Sequence, residues 1–167
     1  CQTISEQWPD TSMPLETCEP RMVIDGLMFH IDEGEEKFIP AVWHGIDEGR
    51  VDRVWMPEDD CCSGRLASAD DEIVLDEHAA SGMEIGIGDT VSIGAGHGSM
   101  DFTVVGIGYH SQHLFFSQMS SILPAEPGTF ATGYLSDTGI ERLANLSAGS
   151  ANQLLLDVAG SPEYDLQ

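Results

Sequence analysis

The chain has 167 residues, with 29 Asp+Glu against 6 Lys+Arg and a formal net charge of -23. That length suits one ordinary domain or two small interleaved lobes, and a hydrophobic share of 41% is too high for a disordered chain. One lysine, Lys37, and five arginines against this acidic excess exclude nucleic acid as a natural partner and disfavour an anionic membrane surface, since both are bound through cations. An acidic, lysine-poor surface fits a high-salt or extracytoplasmic setting, where screening tolerates self-repulsion, and equally a merely acidic soluble protein.

Residues 1–17 hold two prolines and little periodicity, and read as an irregular lead-in. Residues 21–31 (RMVIDGLMFHI) form an apolar strand bent near Gly26, and residues 37–46 (KFIPAVWHGI) a second. The charged turn Asp32–Glu36 between them makes a hairpin. The acidic stretch Asp47–Gly64 reads as loop or linker. Ile73-Val74-Leu75 is a short strand, followed by a helix capped at Asp76 and stopped near Gly82.

Eight of the 18 glycines fall between Gly82 and Gly108, around two alternating strands at 90–93 and 101–107 joined by a glycine turn at 94–98. This predicts a small, strongly curved sheet or barrel. Residues 110–128 are irregular. Phe130–Leu135 is a strand, Ser136 or Asp137 caps a helix over 138–146, and 152–158 is a last strand, so the final third reads β-α-β.

No apolar run approaches the ~20 residues that span a bilayer; the best, Leu154–Leu156, stops at Asp157. No basic and apolar leader opens the chain, which lacks an initiator Met and reads as a processed product or a segment of a longer protein. Cys1 is then a candidate lipid anchor. The four cysteines, Cys1, Cys18, Cys61 and Cys62, are candidate disulfide partners. Geometry disfavours a bond between the adjacent Cys61 and Cys62, and the two other connectivities tie residues 1 and 18 to that pair. Buried free thiols remain the alternative. Zinc is the weaker one, because C-x₂₋₄-C spacing is absent.

Other motifs are fragmentary. Gly86-Ile-Gly88-Asp lacks the third glycine of a dinucleotide fingerprint, and Gly94-Ala-Gly96-His97-Gly98 leads into a strand rather than a helix, so both read as turns. Ser111 stands between His110 and His113 without the last glycine of a nucleophile elbow, which leaves a hydrolase as a distant reading. His97, His110 and His113 do not share a helix face that would favour zinc. The acidic clusters Asp59-Asp60 and Asp70-Asp71-Glu72 lack calcium-loop spacing and read as solvated faces. Asn145-Leu146-Ser147 is a glycosylation sequon, usable only if exposed and exported. No cofactor is indicated.

An ordered series of phrases carries a resemblance: Gly45-Ile46-Asp47, Gly64-Arg65, Asp71–Asp76, His78-Ala79-Ala80, Ile85–Val91 with Gly88-Asp89-Thr90-Val91, and Phe102–Ile107. Over about two thirds of the chain this resembles the extracytoplasmic domain of ABC transporter permeases of the MacB/FtsX/LolC-like class. The resemblance implies an α+β fold, with an α/β porter-like lobe and an inserted small β-barrel-like lobe. The boundaries are 1–64 for the first part of the porter-like lobe, 65–115 for the inserted lobe and 116–167 for its closing β-α-β. It further implies a non-catalytic role at the outer face of the membrane. Flanking transmembrane helices would carry the motion of a cytoplasmic ATPase to an adaptor, a lipoprotein or small-molecule cargo. The segments near 47–64 and 108–128 are expected to act as the mobile junction. The alternative is a free-standing secreted or lipid-anchored binding module.

Overall fold

A computed structural model describes residues 1–8, 14–32, 35–58, 62–96, 98–113 and 125–158. The fold is mixed α+β and mostly sheet. In chain order, α1 (Gln2–Gln7) leads to β1 (Leu15–Arg21), β2 (Val23–Asp32) and β3 (Glu35–Gly45). Two short strands follow, β4 (Val54–Trp55) and β5 (Ser63–Gly64), then β6 (Glu72–Asp76) and α2 (Glu77–Gly82). The rest is β7 (Thr90–Gly94), β8 (Ser99–His110), a 3-10 turn at Ser111–His113, β9 (Ala131–Leu135), α3 (Asp137–Ala144) and β10 (Gln153–Val158).

The expected hairpin is present, with β2 and β3 antiparallel and Val23 opposite His44. β3 runs parallel to β9, β9 antiparallel to β6, and β6 parallel to β8. β7 pairs with β8 on one side and with β2 on the other. Each of these six strands therefore has a neighbour on both sides. Strands from all three expected segments share one sheet, since β6 pairs with β9 and β7 with β2.

The apolar interior gathers Met28, Trp43, Ile73, Leu75, Ile93, Phe102, Val104 and Leu135 from all six strands. Helices α2 and α3 add Ala79, Ala80, Ile140 and Leu143. Burial at this scale is the main source of stability, at roughly 1.5–3 kcal/mol per large side chain. Trp43 satisfies its indole N–H on the Gly94 carbonyl at 3.1 Å, so the largest core side chain leaves no polar atom unpaired.

Helix α2 starts as expected, with the Asp76 carboxylate accepting from the His78 N–H. At Gly88 the backbone takes φ +96°, a region that favours glycine. The turn is pinned on β8, because Gly88 N–H donates to Val104 and Val104 N–H donates to Asp89. Both glycine fragments thus serve turns, as far as the described residues show.

Three expectations need correction. The lead-in is not irregular throughout: α1 and the first three residues of β1 form there, although residues 9–13 lie outside the described ones. The closing β-α-β does not return to the main sheet, because β10 pairs antiparallel with β1 in a separate two-stranded ribbon, Leu15 opposite Val158 and Arg21 opposite Gln153. Nor is Asp47–Glu58 a free linker. It lies across the outer face of the sheet, where Val54, Met56 and Leu66 pack on Ile46, Val74 and Tyr134. Gly108 makes this approach feasible, since a Cβ there would meet the Trp55 carbonyl at 2.7 Å.

Candidate functional site

Under that covering segment the outer face is polar and still buried. Burial alternates cleanly along Asp101–Val104 and is then lost, with Gly106, Ile107, Gly108 and His110 all enclosed. In β9 every residue is buried, Thr132 and Tyr134 included. Arg21 ends β1, His44 lies near the end of β3, and Asp52 hangs from the covering segment. These elements converge because His44 stands beside Tyr134 in the parallel β3–β9 register, and Val54 sits opposite His110 in the β4–β8 pair.

Asp52 is the hub. One carboxylate oxygen accepts from Arg21 at 2.5 Å and the other meets His110 Nε2 at 2.5 Å. Arg21 also donates to Gln112 at 2.9 Å and to Gln153 at 2.5 Å. His44 and His113 join through their Nε2 atoms at 3.0 Å. The rings of His44, His110 and Tyr134 stack or tilt on one another at 5.4–5.9 Å between centroids. Tyr134 donates its hydroxyl to Asp76 at 3.4 Å, and Asp76 in turn meets His78 Nδ1 at 3.0 Å. Two hydrogen-bonded groups, one from the ribbon through the covering segment to His110 and one from Tyr134 to the start of α2, thus meet where the rings of His44, His110 and Tyr134 pack.

The electrostatics follow from enclosure. Burial, together with His113, Arg21 and His110, lowers His44 from 6.5 to about 2. Burial and the same cationic side lower His113 to about 4. For Asp52, burial alone would raise the carboxyl, but the hydrogen bonds and charges of His110 and Arg21 hold it down at about 2. Burial raises Asp76 despite its bonds to His78 and Tyr134, and burial with the nearby Asp76 carries Tyr134 well above 10. Arg21 Nε, His44 Nδ1 and Thr132 Oγ1 are buried with no hydrogen-bond partner among the described residues.

His110 and Asp52 have the spacing of a base and its orienting carboxylate, yet the His110 side chain is fully enclosed, so it presents no surface to a substrate. Ser111 is exposed and points to no assembled nucleophile site. Among the described residues no group of three or more His, Cys, Asp and Glu is arranged to hold a metal ion. Here His110 Nε2 is committed to Asp52, and a guanidinium occupies the same carboxylate.

Of the sequence candidates, His110 and His113 enter this cluster, while His97 lies outside the described residues. Cys1 bonds to Cys18, with Cα atoms 5.4 Å apart. This corrects the expectation that residues 1 and 18 pair with Cys61 and Cys62: α1 folds the chain so that Cys1 returns to β1. Cys62 is buried and also disulfide-bonded, and Cys61 lies outside the described residues. Asn145 is exposed, at the C-terminal cap of α3. Glu72 is tied to Arg65 and Asp70 to Arg142, so these acids are engaged within the chain; Asp59 and Asp60 lie outside the described residues.

Sequence reasoning missed Arg21, His44, Asp52 and Tyr134. The available signal was a titratable residue inside an apolar strand, as in Val42-Trp43-His44-Gly45, which calls for a buried partner.

No protein-family model matches the chain, and no curated protein matches it.

Proposed function

We propose that the chain is the extracytoplasmic domain of an ABC transporter permease of the MacB/FtsX/LolC-like class, non-catalytic, coupling a cytoplasmic ATPase to cargo export, lipoprotein handling or activation of a partner. The observation that carries this reading is the β1–β10 ribbon. The strand that enters the domain and the strand that leaves it lie side by side and antiparallel, with Leu15 opposite Val158. A domain inserted between two membrane spans needs its entry and exit together, and a hydrogen-bonded pair transmits a push or pull as one unit. The ordered phrases from Gly45 to Ile107 add support.

In this reading the porter-like lobe comprises residues 1–64 and 116–167, and the inserted β-barrel-like lobe residues 65–115. The partners are the flanking transmembrane helices, a cytoplasmic ATPase and an adaptor, lipoprotein or small-molecule cargo. Among the described residues no helix is long and apolar enough to cross a membrane, so spans must come from other parts of the protein. The lipid-anchored alternative would use the Cys1 sulfur, which here is bonded to Cys18.

The test uses the complete gene product in its own membranes. The reading expects it to resist carbonate extraction, to expose this domain to protease added outside the cell, and to co-purify with a nucleotide-hydrolysing subunit. Recovery as a freely soluble secreted protein would sink it.

A further inference from the structure

We propose that the cluster of Arg21, Asp52, His110, His44 and His113 is an acid-opened latch, which fastens the β1–β10 ribbon to the main sheet at neutral pH and releases it when His113 and His44 take up protons. This stands whether or not the chain lies between membrane spans.

The geometry places the cluster at the junction. Arg21 is the last residue of β1 and faces Gln153 of β10. Its guanidinium holds Asp52 on the covering segment, Gln112 in the 3-10 turn and Gln153 in the ribbon. The covering segment is bonded to the ribbon as well, through Val51 N–H to Glu19 and Arg50 to Pro20. The cluster therefore joins the two-stranded ribbon to a sheet with which it shares no ladder.

The charges facing the two histidines make the joint sensitive to protons. Arg21 comes from β1, Asp52 from the covering segment, His110 from β8, and Tyr134 from β9 with Asp76 behind it on β6. Among the described residues Asp52 is the one carboxylate bonded to both Arg21 and His110, and it is already shared between them. A proton on His113 or His44 adds a cation that has no carboxylate of its own, in a site with little access to water. His44 Nδ1 lacks a partner even in the neutral state.

The direction follows. Both imidazoles are lower in the folded chain than at their ordinary 6.5, His113 at about 4 and His44 at about 2. An opened state therefore binds protons more readily, and closure is favoured above 6.5 and weakened progressively as pH falls toward 4. Asp52, held at about 2 against an ordinary 3.8, contributes only at pH below that window.

Amide hydrogen exchange on the full 167-residue chain tests this. Exchange is read as protection factors, which removes the intrinsic pH dependence. From about pH 7 to about pH 4.5, protection at 15–21 and 153–158 should fall roughly tenfold or more while that at 72–76 and 90–94 holds. His113→Gln, which keeps a hydrogen-bonding side chain and removes one of the two titrations, should shrink the selective loss, and the double change His44→Gln with His113→Gln should abolish it. Should these variants fail to fold, the wild-type imidazole NMR titration keeps the test: His113 must titrate well below its ordinary 6.5, and an unshifted His113 overturns the latch. A loss spread evenly over both sets of strands, a selective loss undiminished in His113→Gln, or no loss at all overturns the latch.

Discussion

Removing the Asp52 carboxylate leaves the Arg21 guanidinium and the His110 imidazole together in a site where Arg21 keeps only 4% of its exposure. An unpaired buried charge costs far more than a broken surface pair, so Asp52→Asn should destabilise the chain by about 3–5 kcal/mol in urea unfolding at neutral pH. Asp70→Asn, which breaks the half-exposed pair with Arg142, should cost under about 1 kcal/mol in the same measurement. Similar losses for the two would mean that the buried cluster contributes no more than an exposed pair. The local sequences differ, since Asp52 lies between Val51 and Arg53 and Asp70 opens the acidic run Asp70-Asp71-Glu72, but it is the Val54–His110 pairing that carries Asp52 under cover.

Helices α1 and α3 differ in what holds them. In α3 the Ser136 hydroxyl accepts from the Gly139 N–H, Asn145 closes the last turn at φ +52°, and Ile140 and Leu143 are buried. Each feature is local, which is why this helix was legible in the sequence nearly to the residue. In α1 six residues bury nothing, and Cys1 provides no side-chain cap. A helix that short does not persist alone in water, so the Cys1–Cys18 bond maintains it. Replacing both cysteines by serine should remove the helical circular-dichroism contribution of α1 and lower global stability by less than the ~3 kcal/mol that loop entropy assigns to a ring of that size. The discount reflects that the described residues of the closed segment add nothing to the core. A larger loss would show that α1 supports the ribbon. β10 is the reverse case: Leu154-Leu155-Leu156 looks like a core strand, yet Leu154 and Leu156 stay over 40% exposed because β10 pairs with β1 rather than the main sheet.

Across the whole molecule a net charge of -23 opposes compaction. Many of the described carboxylates face water, where added salt screens them, whereas the buried cluster is shielded from salt by its enclosure. The thermal midpoint should therefore rise when sodium chloride goes from about 10 mM to about 500 mM. A midpoint that falls would show that specific surface ion pairs outweigh general repulsion. Acidification acts in two directions, since it discharges the surface and so relaxes repulsion while it loads protons onto His113 and His44. Only the second effect is confined to the ribbon junction, so a site-resolved measurement is needed to see it.

Composition and periodicity by themselves determined the acidic surface, the hairpin of β2 and β3, the strands at Ile73–Leu75, 90–93, 101–107 and 130–135 to within a few residues, and the caps at Asp76 and Ser136. Each of these depends on residues a few positions apart, so the information is local. The tertiary structure alone decided that β10 leaves the sheet for β1, that Cys1 meets Cys18, and that Asp47–Glu58 folds over the sheet instead of linking lobes. The buried cluster belongs to this second group. Its members, at 21, 44, 52, 110 and 113, come from four separate stretches, and each alone resembles an ordinary surface or strand residue. Long-range pairing and exclusion of water turn them into a site, because only enclosure makes a charge need a particular partner.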